Sequence, residues 1–282
     1  MIRIISDSST MYSITEGEEK NIDISPLSVT INNKTYREYE DIHTEEFIEL
    51  INKGYIPLSS QPSIGAVMDL YNKYPNDVVI NISMADGLSG TYNSACTAKT
   101  MVDNPERIEV LNSRTLCGPQ RYLVDVAAKL SKLDKSKEEI LEVLNSMMNT
   151  SKSYLIPNDF EFLVRGGRLS PLVGRIGSAI KLVPVMKLSE DGRELTKFTT
   201  KRTYSKAIDK ICEDLINEGI DHNYKISISH ACKEELANTA KDIILGYVKD
   251  ADIEIMKLGP AFTTQGGPGC VAIQVIKKHE IV

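Results

Sequence analysis

Short apolar runs rich in β-forming residues alternate along this chain with segments patterned as amphipathic helices. The runs at residues 2–6 and 77–83, for example, are each followed by a helical pattern. Such alternation is typical of α/β proteins, in which helices cover a mainly parallel sheet. We therefore predict an α/β fold. A change of character near residue 150 suggests two α/β domains, residues 1–150 and 151–282, the first with a mainly parallel sheet.

Four loops that are rich in hydroxyl groups or glycine follow apolar runs, at residues 6–9, 59–63, 87–92 and 259–269. In an open parallel sheet, ligands bind in the crevice beyond the carboxyl ends of the strands. Hydroxyls and bare backbone amides in such loops can hold a small anionic group. The loops therefore predict a ligand-binding crevice, and by themselves they do not predict catalysis.

Capping residues and turn signals predict the elements around these loops. Thr44 and Ser63 can cap helices that run through residues 52 and 74, and Asn158 can cap a short helix that ends at residues 166–167. Residues 24–31 are expected to form one extended segment before a turn at 32–34. Further helices are predicted for residues 92–102, 121–130, 138–148, 205–218 and 234–247.

Strands are predicted in the second half of the chain as well. Two extended segments flank Glu190-Asp191-Gly192, which is a good β-hairpin signal. These segments are residues 180–188 and 194–199, and other strands are expected at 108–111, 154–156, 225–229, 253–258 and 271–276. The last two of them bracket the glycine-rich residues 259–269, which we predict to be a loop.

Composition excludes several classes of protein. The net charge of -6 disfavours a general binder of nucleic acids or anionic membranes. The five cysteines are widely spaced without a CxxC pair, so a reducing cytoplasm is the better expectation than a disulfide framework or a zinc site. No run approaches the roughly 18 apolar residues of a membrane span, and the first residues are patterned as a strand, not as a signal peptide. We expect a cytoplasmic protein without stable membrane insertion.

Ser89 admits two further interpretations besides ligand binding. It follows a strand and precedes a helix, as a nucleophilic serine does, with His230 as the best-placed base. The nucleophile elbow, however, needs Gly-x-Ser-x-Gly, and its last position here is Thr91. Ser89 and its neighbours could also form only a helix cap and a turn. An esterase or acyl hydrolase using Ser89 remains the alternative function.

Other catalytic and cofactor patterns are incomplete. Asp7 follows the first strand, but position 9 is a serine where an aspartyl-phosphate pattern needs a second carboxylate. We therefore expect Asp7 to hydrogen-bond nearby loop amides and so to order the crevice. Residues 166–168 lack the Gly-Lys-Ser/Thr ending of a phosphate-binding P-loop, and no histidine pair has metal-ligand spacing. No cofactor and no metal are predicted.

Five motifs follow one another along the chain: Asp7-Ser8-Ser9, Ser59-Ser60-Gln61-Pro62-Ser63, Leu88-Ser89-Gly90-Thr91-Tyr92-Asn93-Ser94-Ala95, Phe162-Leu163-Val164-Arg165-Gly166-Gly167-Arg168 and Ile180-Lys181-Leu182-Val183-Pro184. Each motif alone is weak, and the five in sequence are specific. They resemble those of the DegV family of bacterial fatty-acid-binding proteins, some of which present their lipid to a fatty-acid kinase. The resemblance covers almost the whole chain.

The resemblance implies one long-chain fatty acid in a crevice between two α/β domains, and a protein without catalytic activity of its own. Hydroxyls of Ser59 and Ser89 would hold the carboxylate. Arg202, outside the pocket, would dock the partner kinase. The full set expected at the carboxylate is Ser59, Ser60, Ser89, Gly90 and Gln265, with Asp7, Ser8, Thr91, Thr264 and Gly267 in the surrounding loops.

Gln265 departs from the family pattern, which has histidine at this place in many members. Glutamine can still donate a hydrogen bond to an oxyanion, but it cannot carry a charge or titrate. Any role that depends on a charged histidine is therefore not expected here.

A fatty-acid chain also needs an apolar tunnel. Burial yields roughly 0.8 kcal/mol per methylene, so a sixteen-carbon chain can be held mainly by its burial. Apolar residues in the second half have spacings that could line such a tunnel, although ordinary core is the commoner role for any single one of them: Leu163, Leu169, Leu172, Val173, Ile176 and Ile180.

Overall fold

The computed structural model describes residues 2–169 and 182–281. Its strands, in chain order, are β1 (Ile2–Asp7), β2 (Ile22–Ser25), β3 (Ser28–Ile31), β4 (Lys34–Arg37), β5 (Leu58–Ser60), β6 (Val78–Ser83), β7 (Ile108–Asn112), β8 (Lys152–Ile156), β9 (Val183–Leu188), β10 (Leu195–Lys201), β11 (Tyr224–His230), β12 (Asp252–Lys257) and β13 (Val271–Lys277). Its helices are α1 (Ile14–Lys20), α2 (Thr44–Asn52), α3 (Ile64–Asn72), α4 (Thr91–Thr100), α5 (Cys117–Lys132), α6 (Lys137–Met148), α7 (Phe160–Gly166), α8 (Tyr204–Asn217), α9 (Glu234–Tyr247) and α10 (Pro260–Gly266).

The first sheet is entirely parallel, with the strand order β2-β1-β6-β7. Alternate side chains of a strand point to opposite faces, and both faces of this sheet are covered. Ile4 and Ile80 pack on one face against α5 and α6, whereas Ile5 and Val79 pack on the other against α3 and α4. The predicted α/β class and the parallel first sheet are confirmed.

The second sheet is mixed, with the order β10-β9-β8-β13-β11-β12. Only β11 and β12 are parallel neighbours, and the remaining pairs are antiparallel. Helices α8 and α9 cover one face through a cluster that includes Ile208, Ile211 and Ile244. The predicted hairpin is present as β9 and β10, although residues 180 and 181 of its first segment lie outside the described residues.

Helix α5 lies between the two large sheets. Leu123 and Val126 belong to the core cluster of the first sheet, which also contains Ile276 of β13. Near the start of the helix, Gly118 meets β11 so closely that an added Cβ would overlap the Ser227 side chain. One helix therefore supports both sheets, and its distance from β11 is set by the missing side chain of Gly118.

A small antiparallel sheet, with the order β4-β3-β5, lies near the carboxyl ends of the parallel strands. Its Val29 shares a cluster with Met84 after β6 and with Ala261 of α10. Residues 24–31, predicted as one extended segment, divide into β2 and β3, which belong to different sheets. The predicted turn is correct: Asn32 and Asn33 have φ values of 50° and 58°.

Three local predictions are wrong. Helix α2 has His43 at its N-cap, because the Thr44 hydroxyl instead donates to the Leu258 carbonyl at 2.8 Å. Helix α7 is capped by Asp159, whose carboxylate accepts from the Glu161 amide, while the Asn158 side chain donates to the Pro268 carbonyl. Residues 259–269 contain α10, which starts at Pro260, a residue whose fixed φ suits the first turn of a helix.

The strands of the parallel sheet and of the small antiparallel sheet come from residues 2–112, and those of the mixed sheet come from residues 152–277. The division into two domains at residue 150 stays a prediction, because α5 packs against both large sheets.

The close approach of α5 to β11 gives a test of this packing. Gly118→Ala should lower the free energy of unfolding by about 1–3 kcal/mol, because its methyl group must displace Ser227 or the helix. Gly65→Ala on α3 is the control, since nothing lies within 4 Å of an added Cβ there, and should be neutral or stabilising by up to about 1 kcal/mol. Urea unfolding of both variants measures this, and equal stabilities would contradict the packing described.

Candidate functional site

An apolar cavity lies between the loops after β6 and β7, the face of the mixed sheet, and helices α7 and α10. The empty space in and around it is about 700 Å³, open solvent included. Its walls combine residues of the first half of the chain with residues of the second half. The apolar lining residues are Met84, Leu88, Leu116, Leu155, Leu163, Leu188, Leu195, Leu258 and Phe262. This lining suits an apolar molecule.

A polar space adjoins this cavity, and Met84, Leu88 and Phe262 line both. Its polar lining residues come from four separate segments: Ser59, Ser60, Gln61, Ser89, Arg168 and Gln265. The structure therefore brings together four of the five residues expected at a carboxylate, namely both serines of β5, Ser89 and Gln265. Hydroxyl, amide and guanidinium donors at one end of an apolar cavity can bind an anionic head group.

Ser59 is held by the small sheet and by α10. It pairs with Val29 across β3 and β5, and its Oγ accepts a hydrogen bond from Gln265 Nε2 at 3.0 Å. The Gln265 amide oxygen lies against Gly166, where an added Cβ would overlap it. A glycine at 166 is therefore needed for Gln265 to take this position beside Ser59.

Ser89 is fixed by the first turn of α4. Its Oγ accepts from the Thr91 amide at 3.2 Å and lies 2.8 Å from the Thr91 hydroxyl. Gly90 is the N-cap of this helix, and an added Cβ there would lie 3.0 Å from the Gln61 side chain. The loop of Ser89 and the loop of Ser59 thus meet closely at Gly90, the fifth residue expected at the carboxylate.

Arg168 is a site residue that the sequence analysis missed. It lines both the apolar cavity and the polar space, and its Nε donates to the Leu88 carbonyl at 3.1 Å. The guanidinium therefore reaches from the segment after α7 across to the Ser89 loop. The signal was present, because Arg168 ends a motif that the family resemblance rests on, but no role was assigned to it.

Asp7 and Ser8, which were expected in the loops around the ligand, are buried at the end of β1. Neither residue lines the cavity or the polar space. Asp7 accepts from the amides of Ser9 and Met84, each at 3.0 Å, so it orders the loop that carries Met84. Burial raises the pKa of Asp7, although its hydrogen bonds to Ser9, Met84 and Gln120 act in the opposite direction.

Glu38, which the sequence analysis also missed, connects the first strand to α10. Its Oε1 accepts from the Ser8 hydroxyl at 2.5 Å, and its Oε2 accepts from the Ala261 amide at 2.9 Å. The side chain is 1% exposed. Burial is the main cause that raises the pKa of Glu38 to about 7. A buried carboxyl group thus holds the start of the helix that carries Gln265.

The remaining loop residues have structural contacts. The Thr264 hydroxyl donates to the Pro260 carbonyl within α10, and Thr264 also lines a shallow opening beside Ser59. Gly267 has a φ of 79° and lies against the Phe162 ring, which an added Cβ would approach to 2.9 Å. Neither residue lines the apolar cavity.

Arg202, expected to dock a partner, lies on the surface. It is exposed in the short segment between β10 and α8, and no ion pair or hydrogen bond joins it to the described part of the chain. It lines neither the cavity nor the polar space.

The tunnel residues have mixed outcomes. Leu163 lines the cavity, whereas Leu169 forms a bridge with Leu195, which itself lines it. The other four, Leu172, Val173, Ile176 and Ile180, lie outside the described residues.

The alternative function, hydrolysis by Ser89, gains no support. Over residues 2–169 and 182–281, the Ser89 hydroxyl has contacts with Thr91 and none with a base. His230 is buried at the end of β11, where its Nδ1 accepts from the Lys233 amide at 3.1 Å. Burial also lowers the pKa of His230.

Two further properties concern the described part of the chain. It contains no group of three or more His, Cys, Asp or Glu side chains arranged to hold a metal ion. Its helices are each too short or too polar to cross a membrane.

Comparison with known proteins places this chain in a family. Residues 1–278 match the model of the DegV family, which is described as uncharacterised. A DegV domain-containing protein of Staphylococcus aureus is 31% identical over 280 residues, which are 98% of either protein. The chain therefore belongs to the DegV family.

Solved structures agree with this assignment. The crystal structure of DegV from Bacillus subtilis, a fatty acid binding protein, has a TM-score of 0.85 and 31% identity over 98% of this chain and 99% of that one. A DegV lipid binding protein from Thermotoga maritima has a TM-score of 0.84 and 26% identity over 98% of both chains. The fold described above is thus shared with proteins of this family.

The buried Glu38 predicts a pH dependence of stability. Its pKa in the folded protein is about 7, against an ordinary value of 4.5. Between these values the folded protein holds a proton that the unfolded chain has lost. The contribution of Glu38 to stability is therefore complete below about pH 4.5 and is lost as the pH rises to about 7. The amide side chain of the variant Glu38→Gln does not titrate. From pH 4.5 to 7 the free energy of unfolding should therefore fall less in the variant than in the parent, and the difference between the two should reach about 3 kcal/mol.

Urea unfolding of both forms at several pH values from 4.5 to 8 measures this difference. Glu142→Gln, at an exposed position of α6, controls for the loss of one negative charge. Parallel pH profiles of the parent and Glu38→Gln would show that Glu38 does not titrate as its burial implies.

Proposed function

We propose that this protein binds one long-chain fatty acid in the cavity between a domain of residues 1–150 and a domain of residues 151–282. The observation that carries the proposal is the apolar cavity, which ends in a cluster of hydroxyl, amide and guanidinium donors. The relatives support the same class of ligand, since those from Bacillus subtilis and Thermotoga maritima are described as fatty-acid-binding and lipid-binding.

Affinity would come mainly from burial of the acyl chain. Each methylene removed from water contributes roughly 0.8 kcal/mol, and the lining of the cavity is almost entirely apolar. The acyl chain would therefore lie among the leucines, with Phe262 and Met84 beside the end that leads to the carboxylate.

The carboxylate would be held in the polar space. Hydroxyls of Ser59, Ser60 and Ser89 are available there, with the backbone of Gly90 beside them. Gln265 uses one hydrogen of its amide nitrogen for Ser59 and retains a second for the ligand. The Arg168 guanidinium would supply the positive charge that Gln265, unlike a histidine, cannot supply.

The protein would act as a non-catalytic carrier that presents the fatty acid to a partner kinase, which phosphorylates the carboxylate. Hydrolysis by this chain alone would need a base beside Ser89, and the described residues place none there. Arg202 is the residue we propose for contact with the kinase, because it is exposed and makes no ion pair or hydrogen bond with residues 2–169 and 182–281.

The first test concerns the carboxylate. The double variant Ser59→Ala and Ser89→Ala should bind hexadecanoic acid more weakly than the parent, since a hydrogen bond to a charged group contributes roughly 1.5–3 kcal/mol. The expected loss of affinity is at least about tenfold, without a loss of folded structure. Displacement of a fluorescent fatty acid measures the affinity, and Ser146→Ala, at an exposed position of α6, is the control. Unchanged affinity in the double variant would refute the assignment.

The second test concerns the partner. With a cognate kinase and ATP supplied, Arg202→Ala should form acyl phosphate about tenfold more slowly at limiting kinase, because truncation of an interface arginine often costs more than 1 kcal/mol. Its affinity for hexadecanoic acid should not change. Lys206→Ala, an exposed cation of the adjacent helix α8, is the matched control. Equal rates for Arg202→Ala and the parent would exclude the docking role.

A further inference from the structure

The mixed sheet forms one wall of the apolar cavity, and this wall contains a buried polar pair, Ser153 and Gln274. The two residues are neighbours across the antiparallel strands β8 and β13, and both line the cavity. Ser153 is 7% exposed and Gln274 is 1% exposed. On the same strands, Leu155 and Ala272 continue the lining with apolar side chains. The polar pair therefore interrupts a wall that is otherwise suited to hydrocarbon.

The hydrogen bonds of this pair leave one acceptor without a donor. Gln274 Nε2 donates to the Leu116 carbonyl at 3.0 Å and to Ser153 Oγ at 2.9 Å. A carbonyl can only accept, so the bond to Leu116 fixes which end of the amide is nitrogen. Gln274 Oε1 is buried and has no hydrogen-bond partner within residues 2–169 and 182–281. Ser153 accepts from Gln274 and keeps its own hydroxyl hydrogen.

Buried polar atoms in proteins are nearly always paired, because a buried acceptor without a donor is destabilising. Two complementary groups lie side by side in this wall: the Gln274 amide oxygen, an acceptor that a ligand reaches once the side chain shifts slightly from its buried position, and the Ser153 hydroxyl, a donor. A single alcohol group could satisfy both, since a hydroxyl both donates and accepts.

The location of the pair separates it from the carboxylate. Ser153 and Gln274 line the apolar cavity and not the polar space that contains Ser59 and Ser89. Ser153 also borders an outer polar cleft on the side of Arg114 and Lys187. A ligand group that meets the pair would therefore belong to the acyl chain and not to its carboxylate head.

We propose that the cavity prefers a long-chain fatty acid that carries a hydroxyl group on its chain, remote from the carboxylate. The chain hydroxyl donates to Gln274 Oε1 and accepts from the Ser153 hydroxyl. This inference rests on the proposed binding of a fatty acid, and it specifies the chemical class of the chain.

Competition binding tests the preference. Hexadecanoic acid and a series of its monohydroxy isomers would each displace a fluorescent fatty acid from the parent protein. At least one isomer with a remote hydroxyl should bind about two- to tenfold more tightly than hexadecanoic acid, as expected for one or two net hydrogen bonds. In Gln274→Leu the same isomer should bind more weakly than hexadecanoic acid, because its hydroxyl leaves water without gaining a partner.

The second variant is Ser153→Ala, which leaves the hydrogen bond from Gln274 to Leu116 in place. It should retain only part of the preference for the hydroxy acid. Undiminished affinity for hexadecanoic acid shows that a variant is folded, and Ser146→Ala controls for loss of an unrelated hydroxyl. If the parent binds hexadecanoic acid but binds every isomer more weakly than hexadecanoic acid, the inference is wrong and the proposed function stands. If the preference persists in both variants, the subsite lies elsewhere. If the parent binds none of the acids, the proposed function itself fails.

Discussion

Burial of the Glu38 carboxyl group between the end of β1 and the start of α10 is the interaction on which the site most depends. Its two oxygens hold Ser8 of the first half of the chain and the Ala261 amide of the second. Helix α10 carries Phe262 and Gln265, which line the cavity and the polar space. The position of the polar end relative to the apolar cavity therefore follows from one desolvated carboxyl group.

The same junction is reinforced by backbone contacts that exclude side chains. Gly87 packs against the backbone of Arg193, and Gly192, with a φ of 74°, packs against the backbone of Arg114. These contacts press the β9–β10 hairpin onto the loops after β6 and β7, beside Leu188 and Leu195 of the cavity wall. Close backbone packing on one side and the Glu38 bridge on the other thus define the width of the cavity.

Much of the fold was predictable from local sequence. The apolar runs of β1 and β6 show that both faces of the sheet are covered, and the hydroxyl-rich loops identify the edge where a ligand would bind. The division of residues 24–31 into β2 and β3 was not predictable in this way. Helix α10 was not predictable either, because Gly259-Pro260 is as typical of a turn as of a helix start. Thr44 failed as a cap because a tertiary partner, the Leu258 carbonyl, competes for its hydroxyl.

The missed site residues share a different cause. Glu38 contacts Ala261, and Arg168 contacts Leu88, so each acts through a partner that is remote in sequence. A buried carboxyl group or a cation beside a cavity leaves no periodic signal in the chain. The free acceptor of Gln274 likewise becomes visible only when its neighbours are in place. Loop composition could locate the site, but only the packed structure shows which side chains complete it.

The proposed function requires the cavity to hold one fatty acid per chain. Native mass spectrometry of the purified protein, before and after addition of hexadecanoic acid, measures this occupancy. We expect a single bound species, either a long-chain acid retained from the host or hexadecanoic acid itself, that is released by organic extraction and identified in the extract. If the protein carries no acid and takes up none on addition, the proposed function is wrong.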